Sequence, residues 1–303
     1  YTVTLSSNPL AGGTTSGGGT FNSGASVTVT ATPNAGYTFT NWTENGIAVS
    51  TNASYTFTII GNRTLVANFG LAGAVGQAPV NLGTAARFAI LSDQAITNIP
   101  TSAITGDVGI HAGSRSSITG FVLTPDVTNT FSTSPEVTGQ VFAANDAVPT
   151  PAMLIAAKSD ANAAYLDATA AVRGTPTPIS GNINGLTLVP GLYESGTSIE
   201  ISPGGFLYLD AHGDANAVFV IRSATSITTE ATSEVRLTNG VQAKNIFWSA
   251  GSAVTLGTNS KMKGTIIAST SISLLTGARL DGRALIQGAA AGQVSLDQNI
   301  IVK

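Results

Sequence analysis

Charged residues are scarce in this sequence. Asp, Glu, Lys and Arg make up only 10 % of its 303 residues, against about a quarter in an average soluble domain. The formal net charge is −3, which leaves no basic excess to attract nucleic acid or an anionic membrane. We therefore expect no nucleic-acid partner and a surface built largely from small, neutral side chains.

Cysteine and long apolar runs are also missing. The lack of cysteine excludes thiolate metal sites and a disulfide framework. No stretch approaches the ~20 apolar residues of a membrane-spanning helix, so no membrane span is expected. The sequence begins at Tyr1 without a Met and without a basic, then apolar leader, and we expect that a signal peptide has been removed. We expect an exported monomer, either secreted or associated with the cell surface.

Residues for metal or catalytic chemistry are sparse and scattered. His111 and His212 are the only histidines and lack an H-x-H or E-x-x-H spacing, so they predict no metal site. The acidic segment 210–216 lacks the alternating ligands of a calcium loop and predicts a turn. Residues 261–263 (Lys-Met-Lys) are also interpreted as a solvated turn. Because no Gly-x-Ser-x-Gly elbow is present either, we expect no cofactor and no enzymatic activity.

A short phrase recurs in the last third of the sequence: a small or polar residue, Ile or Val, a short polar residue, then an apolar residue or Thr. Its copies start at residues 198, 226, 253, 271 and 293. Repeats of this spacing, each with a short alternating strand, predict a β-solenoid. Alternate residues of a strand face opposite sides. The positions expected in the core are Ile199, Ile227, Val254, Ile272 and Val294.

The residue after each core position is then expected to face solvent, and stacking aligns these residues in one column. The column comprises Glu200, Thr228, Thr255, Ser273 and Ser295. A flat array of short hydroxyl groups suggests binding to an extended, repetitive partner rather than catalysis in a pocket.

A separate β-rich unit is predicted for residues 1–69. Clean alternation marks strands at 1–5, 27–31, 37–39, 55–59 and 65–69. The ordered series Tyr1–Thr4, Gly24–Val29, Gly36–Phe39, Trp42 and Val66–Phe69 resembles the bacterial surface repeat domain related to the internalin B-repeat. The resemblance implies a spacer or an adhesive stalk in an exported protein. Residues 70–82 are interpreted as a linker, and a second domain is expected to cover residues 83–303.

One long helix is predicted at about residues 151–173. Thr150 is the expected cap, Pro151 suits the first turn, and Gly174 is expected to end the helix. Apolar residues recur every three or four positions and predict one stripe that packs on another element. The stripe comprises Leu154, Ala157, Ala161, Tyr165, Ala168 and Val172.

Several stretches of the second domain are similar to the microbial ice-binding (antifreeze) protein family. The similarity covers about residues 84–303 in the expected order. Among the stretches that carry it are Phe88–Ser92, Ile104–Gly109, Leu186–Tyr193, Leu209–Phe219 and Gly264–Ala268. The resemblance implies a mainly β fold: a discontinuous right-handed β-helix (solenoid) of triangular cross-section, flanked by one long helix. It also implies that ice is bound on one flat β face and its adjoining loops.

The outward column has repeat distances comparable to those of ice. Stacked strands lie ~4.8 Å apart and same-face residues of one strand ~6.6 Å apart, which is comparable to oxygen spacings in several ice planes. A Thr methyl group excludes bulk water, its hydroxyl anchors an ordered one, and β-branching limits the entropy lost on docking. The candidate ice-binding residues are Thr228, Thr255, Ser273 and Ser295, then Ser226, Ser271, Thr258 and Thr276, with Thr97 and Thr119 if the first rungs stack on the same face.

Glu200 interrupts this array, because a charged side chain holds its own hydration shell. We expect the site to begin beyond Glu200, as a short patch centred on Thr228 and Thr255, and the activity to be moderate.

Two other functions remain open. The solenoid could be a cell-surface adhesin or a structural stalk, since Thr and Ser are common on any solvated sheet face. A polysaccharide-active β-helix enzyme needs clustered carboxylates or a Lys or Arg base in a groove, whereas these repeats offer Thr, Ser and Ala with single charges. The N-terminal unit is the expected contact with a cell-surface or adhesion partner.

Overall fold

The chain folds as two compact units. The computed structural model describes residues 1–34, 37–71, 77–287 and 292–303, and the units comprise residues 1–75 and 76–303. Residues 72–76 of the predicted linker lie outside the described residues, while Gly70 and Leu71 end a strand and Val80 is buried. Among the described helices, none combines the length and the hydropathy needed to cross a membrane.

The N-terminal unit consists of two antiparallel or mixed sheets around a small core. Its strands are Thr2–Asn8 (β1), Gly13–Ser16 (β2), Gly19–Thr20 (β3), Ser26–Pro33 (β4), Tyr37–Glu44 (β5), Ile47–Ser50 (β6), Ser54–Thr58 (β7) and Arg63–Leu71 (β8). One sheet has the order β3-β1-β8-β5-β6 and the other β2-β4-β7. Trp42, Val29 and Leu65 are completely buried between them. Residues 33–36 (Pro-Asn-Ala-Gly), for which the sequence predicts a turn, lie partly outside the described residues, which omit Ala35 and Gly36.

The second unit is built almost entirely from short strands. They are Phe88–Ser92 (β9), Ala95–Ile99 (β10), Ala103–Thr105 (β11), Asp107–Ile110 (β12), Ile118–Thr119 (β13), Thr124–Pro125 (β14), Ser132–Ser134 (β15), Val137–Ala143 (β16), Thr177–Pro178 (β17), Gly181–Asn182 (β18), Thr187–Leu188 (β19), Gly191–Ser195 (β20), Ile199–Ile201 (β21), Phe206–Asp210 (β22), Phe219–Ser223 (β23), Ile227–Thr229 (β24), Glu234–Thr238 (β25), Ile246–Ala250 (β26), Val254–Leu256 (β27), Lys261–Ala268 (β28), Ser271–Leu274 (β29), Arg279–Ile286 (β30), Gln293–Asp297 (β31) and Ile300–Val302 (β32). Short 3-10 turns occupy Gly83–Arg87, Arg115–Ser117, Ala171–Arg173 and Ala243–Asn245 in this unit, and Leu10–Gly12 in the N-terminal unit.

Apart from β14 and β15, which pair antiparallel beside β16, most of these strands form three parallel stacks. The first is an eight-stranded sheet of order β13-β10-β31-β29-β27-β24-β21-β18. The second contains β22, β25, β32, β11 and the first parts of β28 and β30. The third contains β20, β23, β26, β9, β12 and the remainders of β28 and β30. The fold is therefore mainly β, and its parallel sheets enclose a solenoid core, as predicted.

The core of the solenoid follows the alternation of the repeated phrase. The five core positions predicted from it are all at most 1 % exposed: Ile199, Ile227, Val254, Ile272 and Val294. Residues 261–263, by contrast, do not form the predicted turn. They begin β28, and Met262 is completely buried while Lys261 and Lys263 face outward. The Lys–Met–Lys pattern is strand alternation, and Lys263 pairs with Asp281 of the next coil.

Helix α1 (Thr150–Thr169) is shorter than predicted. Thr150 is not the cap: Pro149 precedes the helix, and the Thr150 hydroxyl donates to the carbonyl of Thr130. The helix ends at Thr169 because Ala170 adopts an extended conformation. The Arg173 guanidinium, from the following 3-10 turn, pairs with the Asp167 carboxylate in the last helical turn.

One side of α1 packs on the third stack. The buried apolar residues of the helix are Leu154, Ala157, Ala161, Ala164 and Ala168, and they meet Leu192, Val220, Phe247, Ile267 and Leu285 of the sheet. Ala164 therefore belongs to the stripe, whereas Val172 does not and is 89 % exposed, because the helix ends before it. The short Ala side chains let the helix backbone approach the sheet closely.

This close approach predicts a strong dependence on side-chain size. An Ala161→Leu variant should lower the free energy of unfolding by about 1–3 kcal/mol, because the added atoms overpack a filled interface. Ala163→Leu, on the exposed side of the same helix, should change it by less than about 0.5 kcal/mol. Urea unfolding of both variants measures the difference. Equal stabilities would contradict the tight packing of α1.

Candidate functional site

Outward-facing residues of the eight-stranded sheet align in a single column. The strand registers place them in the order Asn182, Glu200, Thr228, Thr255, Ser273, Ser295, Thr97 and Thr119. Each of these residues reaches solvent. In β21, β24, β27, β29 and β31, the residues directly before and after it are buried. We call the unbroken hydroxyl-bearing part the hydroxyl column: Thr228, Thr255, Ser273, Ser295, Thr97 and Thr119.

The hydroxyl column is longer than the short patch predicted from sequence. Strand β10 pairs with β31, and β13 pairs with β10, so the first strands of the unit extend the stack beyond its last copy. Thr97 and Thr119 therefore align with Ser295, on the same face. The geometric centre of the column lies between Ser273 and Ser295 rather than between Thr228 and Thr255.

Glu200 lies immediately beside the end of the hydroxyl column. It is in register with Thr228 on one side and Asn182 on the other. No hydrogen bond or ion pair joins its carboxylate to any residue in the described part of the chain. The charge is therefore solvated, and it bounds the uncharged surface at this end.

Ser226 and Ser271 lie two residues before members of the hydroxyl column, on the same side of their strands. Both are half-buried. Ser271 is in register with Gln293, which in turn aligns with Ala95. We call Ser226, Ser271, Gln293 and Ala95 the flanking column. It carries hydroxyl, amide and methyl groups in turn and is therefore less regular than the hydroxyl column.

Thr258 and Thr276 do not lie on the flat sheet. They stack at the turns that follow β27 and β29, where the Asn259 amide donates to the Thr276 carbonyl at 2.9 Å. The Thr276 hydroxyl also donates to the carboxylate of Asp297. The structure therefore separates these two residues from the strand residues with which the sequence grouped them.

A further set of hydroxyl residues was missed from sequence. The residues three positions before the column stack at the corner that precedes the sheet: the Ser252 amide donates to the Thr225 carbonyl at 2.8 Å, and the Thr270 amide donates to the Ser252 carbonyl at 3.2 Å. We call this set the corner column: Thr197, Thr225, Ser252 and Thr270. Its signal was present, because Thr or Ser directly precedes four of the five copies of the repeated phrase.

Buried serines hold the corner in place. The Ser223 hydroxyl lies 2.7 Å from the Thr197 carbonyl and 2.9 Å from the Ser226 carbonyl. Ser92 binds the carbonyls of Ala95 and Gly292 in the same way. Each serine thus links adjacent coils where the chain enters the eight-stranded sheet, which fixes the height of neighbouring strands and keeps the sheet regular.

The histidines serve structural roles. His111 Nδ1 lies 2.9 Å from the buried Asp93 carboxylate, which also faces the Lys158 ammonium of α1 at 3.6 Å. Burial lowers the pKa of Lys158, and Asp93 partly offsets that effect. No cluster of three metal-ligating side chains occurs among the described residues. Segment 210–216 is the predicted turn: the His212 amide donates to the Asp210 carboxylate at 2.8 Å.

Known protein families match both units. The family described as Ice-binding-like matches residues 90–302. The chain belongs to this family. The ice-binding-like family match covers the whole hydroxyl column, from Thr97 to Ser295, and most of α1's packing surface. The Divergent InlB B-repeat domain family matches residues 2–73. This match confirms the resemblance of the N-terminal unit to the internalin B-repeat.

Relatives of the ice-binding-like family resemble the chain over most of its length. An ice-binding protein of Leucosporidium sp. (strain AY30) is 36 % identical, with 75 % of this chain and 88 % of the relative covered. One from Flavobacterium frigoris (strain PS1) is also 36 % identical, covering 71 % and 75 %. Among solved structures, an ice-binding protein from an Antarctic biological consortium is 39 % identical with a TM-score of 0.65, covering 76 % of this chain and 93 % of that one. An Arctic yeast ice-binding protein described for its antifreeze activity is 34 % identical with a TM-score of 0.66, covering 73 % and 93 %.

Proposed function

We propose that this chain binds ice through the hydroxyl column and thereby inhibits ice growth and recrystallisation. The observation that carries the proposal is the register of the sheet, which aligns six short hydroxyl side chains on consecutive parallel strands without a charged residue between them. Membership of a family whose relatives are ice-binding proteins supports it.

The mechanism follows from the repeat distances of the sheet. Neighbouring members of the hydroxyl column are ~4.8 Å apart, and the flanking column lies ~6.6 Å away along each strand. Each hydroxyl can hold one ordered water, and the Thr methyl groups displace bulk water. A single such contact is weak, so adsorption depends on many of them being held rigidly together. Once molecules are adsorbed, ice can grow only between them, and the curved front is harder to extend.

Neighbouring residues enlarge the proposed surface. Ser226 and Ser271 supply hydroxyls along the flanking edge, and the corner column lies one residue beyond it. We also include Thr258 and Thr276, at the turns that follow β27 and β29, as the opposite rim of this surface. We further infer a right-handed solenoid of triangular cross-section, supported by the three stacks of parallel strands, with α1 covering one of its three sides.

The setting proposed for this activity is extracellular. We infer an exported monomer, secreted or held at the cell surface, without enzymatic activity. The match of residues 2–73 to the Divergent InlB B-repeat domain supports a second role for the N-terminal unit, as a tether to a cell-surface or adhesion partner. In that arrangement the two units have separate ligands.

Ice growth in a cooled droplet tests the proposal. The protein should produce faceted ice crystals, a measurable thermal hysteresis gap and slower recrystallisation in a frozen sucrose solution. Round, freely growing crystals and unchanged recrystallisation would favour the adhesin or stalk function instead.

Removing the charge beside the hydroxyl column should increase activity. A Glu200→Thr variant extends the uncharged run by one strand, because residue 200 is in register with Thr228. Thermal hysteresis should rise, while the free energy of unfolding changes by less than about 0.5 kcal/mol. Lys261→Thr, which removes an exposed charge from the second stack, is the control and should leave thermal hysteresis unchanged. An equal rise in both variants would show that removal of any exposed charge, and not extension of the column, raises the activity.

A further inference from the structure

An open cavity lies on the second unit, away from the hydroxyl column. It has a volume of about 430 Å³ and lies between the segment that leads into β9 and the coils that contain β26 and β30. Val80, Leu82 and Phe247 also line it, each through a small apolar edge, since their side chains are otherwise buried. Two cationic side chains, Lys244 and Arg283, complete the lining. The volume falls within the range of small-molecule sites in proteins, roughly 300–1,000 Å³.

The guanidinium of Arg283 has no counter-ion in the part of the chain that the structure describes. Its Nε donates to the carbonyl of Ala86 at 3.2 Å, and no carboxylate pairs with it among the described residues. The remaining segments, 35–36, 72–76 and 288–291, consist only of Ala, Gly and Val, so they supply no acidic partner. Lys244 is equally without an ion pair in the described part of the chain.

This arrangement is unusual within the molecule. Lys263 and Arg279 share the carboxylate of Asp281, and Arg222 pairs with Glu194. Arg283, on the same strand as Asp281, is half-buried and has no such partner among residues 1–34, 37–71, 77–287 and 292–303. Burial lowers the pKa of Arg283, yet a guanidinium keeps its charge at neutral pH. A desolvated cation is stabilised by an anion that can accept hydrogen bonds from its free donors.

The geometry points to a binding site for a small organic carboxylate with a compact apolar body. The carboxylate would accept hydrogen bonds from the free Nη donors of Arg283, with Lys244 adding a second positive charge at the rim. The apolar body would rest on Val80, Leu82 and the edge of Phe247. A purely inorganic anion could satisfy the charge but would leave the small apolar edges of Val80, Leu82 and Phe247 in contact with water. The site is independent of ice binding, since none of its residues belongs to the hydroxyl column.

Titration with sodium benzoate, followed by backbone amide chemical shifts of the whole protein, tests this inference. Benzoate should shift the amides of Asn81, Gly83 and Lys244 in a saturable way. Benzamide, its neutral counterpart, should shift them far less. Lys244→Gln should weaken benzoate binding about two- to fivefold, as for loss of one exposed charge pair, and Arg283→Gln should abolish it. Lys261→Gln, at an exposed lysine on another face, should have no effect.

Several results would overturn the site. They are an absence of shifts up to the solubility limit of benzoate, equal binding of benzamide, tighter binding of inorganic phosphate than of benzoate, or equal weakening by Lys244→Gln and Lys261→Gln. If Arg283→Gln fails to fold because the Ala86 contact is lost, the comparison of the two lysine variants decides alone.

Discussion

A Thr255→Tyr variant should remain folded and lose most of its thermal hysteresis. Thr255 lies inside the hydroxyl column, in register with Thr228 and Ser273. Because its side chain points to solvent, a phenol ring there leaves the core intact, and stability should change by less than about 0.5 kcal/mol. The ring would stand several ångströms above the sheet and hold the neighbouring hydroxyls away from a flat ice surface.

The matched control places the same side chain on another stack. Thr105 is exposed on β11, which belongs to the second stack, and Thr105→Tyr should keep full thermal hysteresis. Nanolitre osmometry of both variants, with circular dichroism to confirm folding, makes the comparison. Full activity in a folded Thr255→Tyr variant would show that ice is bound elsewhere, and loss of activity in both variants would show that the ring acts non-specifically.

Truncation of the core beneath the column should have the largest effect on stability. Ile272 is completely buried and in register with Val254 and Val294. Ile272→Ala should lower the free energy of unfolding by about 2–5 kcal/mol, because it removes buried methyl groups and leaves a cavity in a stacked core. Thermal hysteresis should also fall, since Ser273 rests directly on this support.

Leu275→Ala is the control for the truncation. Leu275 follows the same strand but is 45 % exposed, so its truncation should cost less than about 1 kcal/mol. Urea unfolding followed by tryptophan fluorescence measures both. A small loss for Ile272→Ala, similar to that for Leu275→Ala, would contradict the assignment of the repeated Ile and Val positions to one continuous core.

The repeated phrase predicted the solenoid core because each of its copies coincides with one strand of the eight-stranded sheet. Residues such as Ile227 and Thr228 could be assigned to core and surface directly, since alternation decides the face once a strand is present. The presence of α1 followed equally from its apolar spacing. Its C-terminal end did not, because Ala170 is a good helix former by propensity, yet it is extended, and the Arg173 Nε donates to the Asp167 carbonyl of the last turn.

Long-range stacking limited the prediction of the site. Nothing local to Thr97 or Thr119 shows that β10 pairs with β31, nearly two hundred residues away in sequence. The same limitation applies to Thr258 and Thr276, whose spacing from the column suggested a shared surface. Three residues beyond a strand position, the chain has already turned the corner, and only the stacked turns of neighbouring coils fix where those side chains lie.

Adsorption to a single crystal of ice is the most direct test of the central claim. Fluorescently labelled protein and a labelled Thr255→Tyr variant would each be frozen into a hemisphere of single-crystal ice. The parent protein should decorate defined, symmetry-related patches of the ice surface, and the variant should leave the ice dark. Equal decoration by both proteins, or by neither, would contradict the assignment of ice binding to the hydroxyl column.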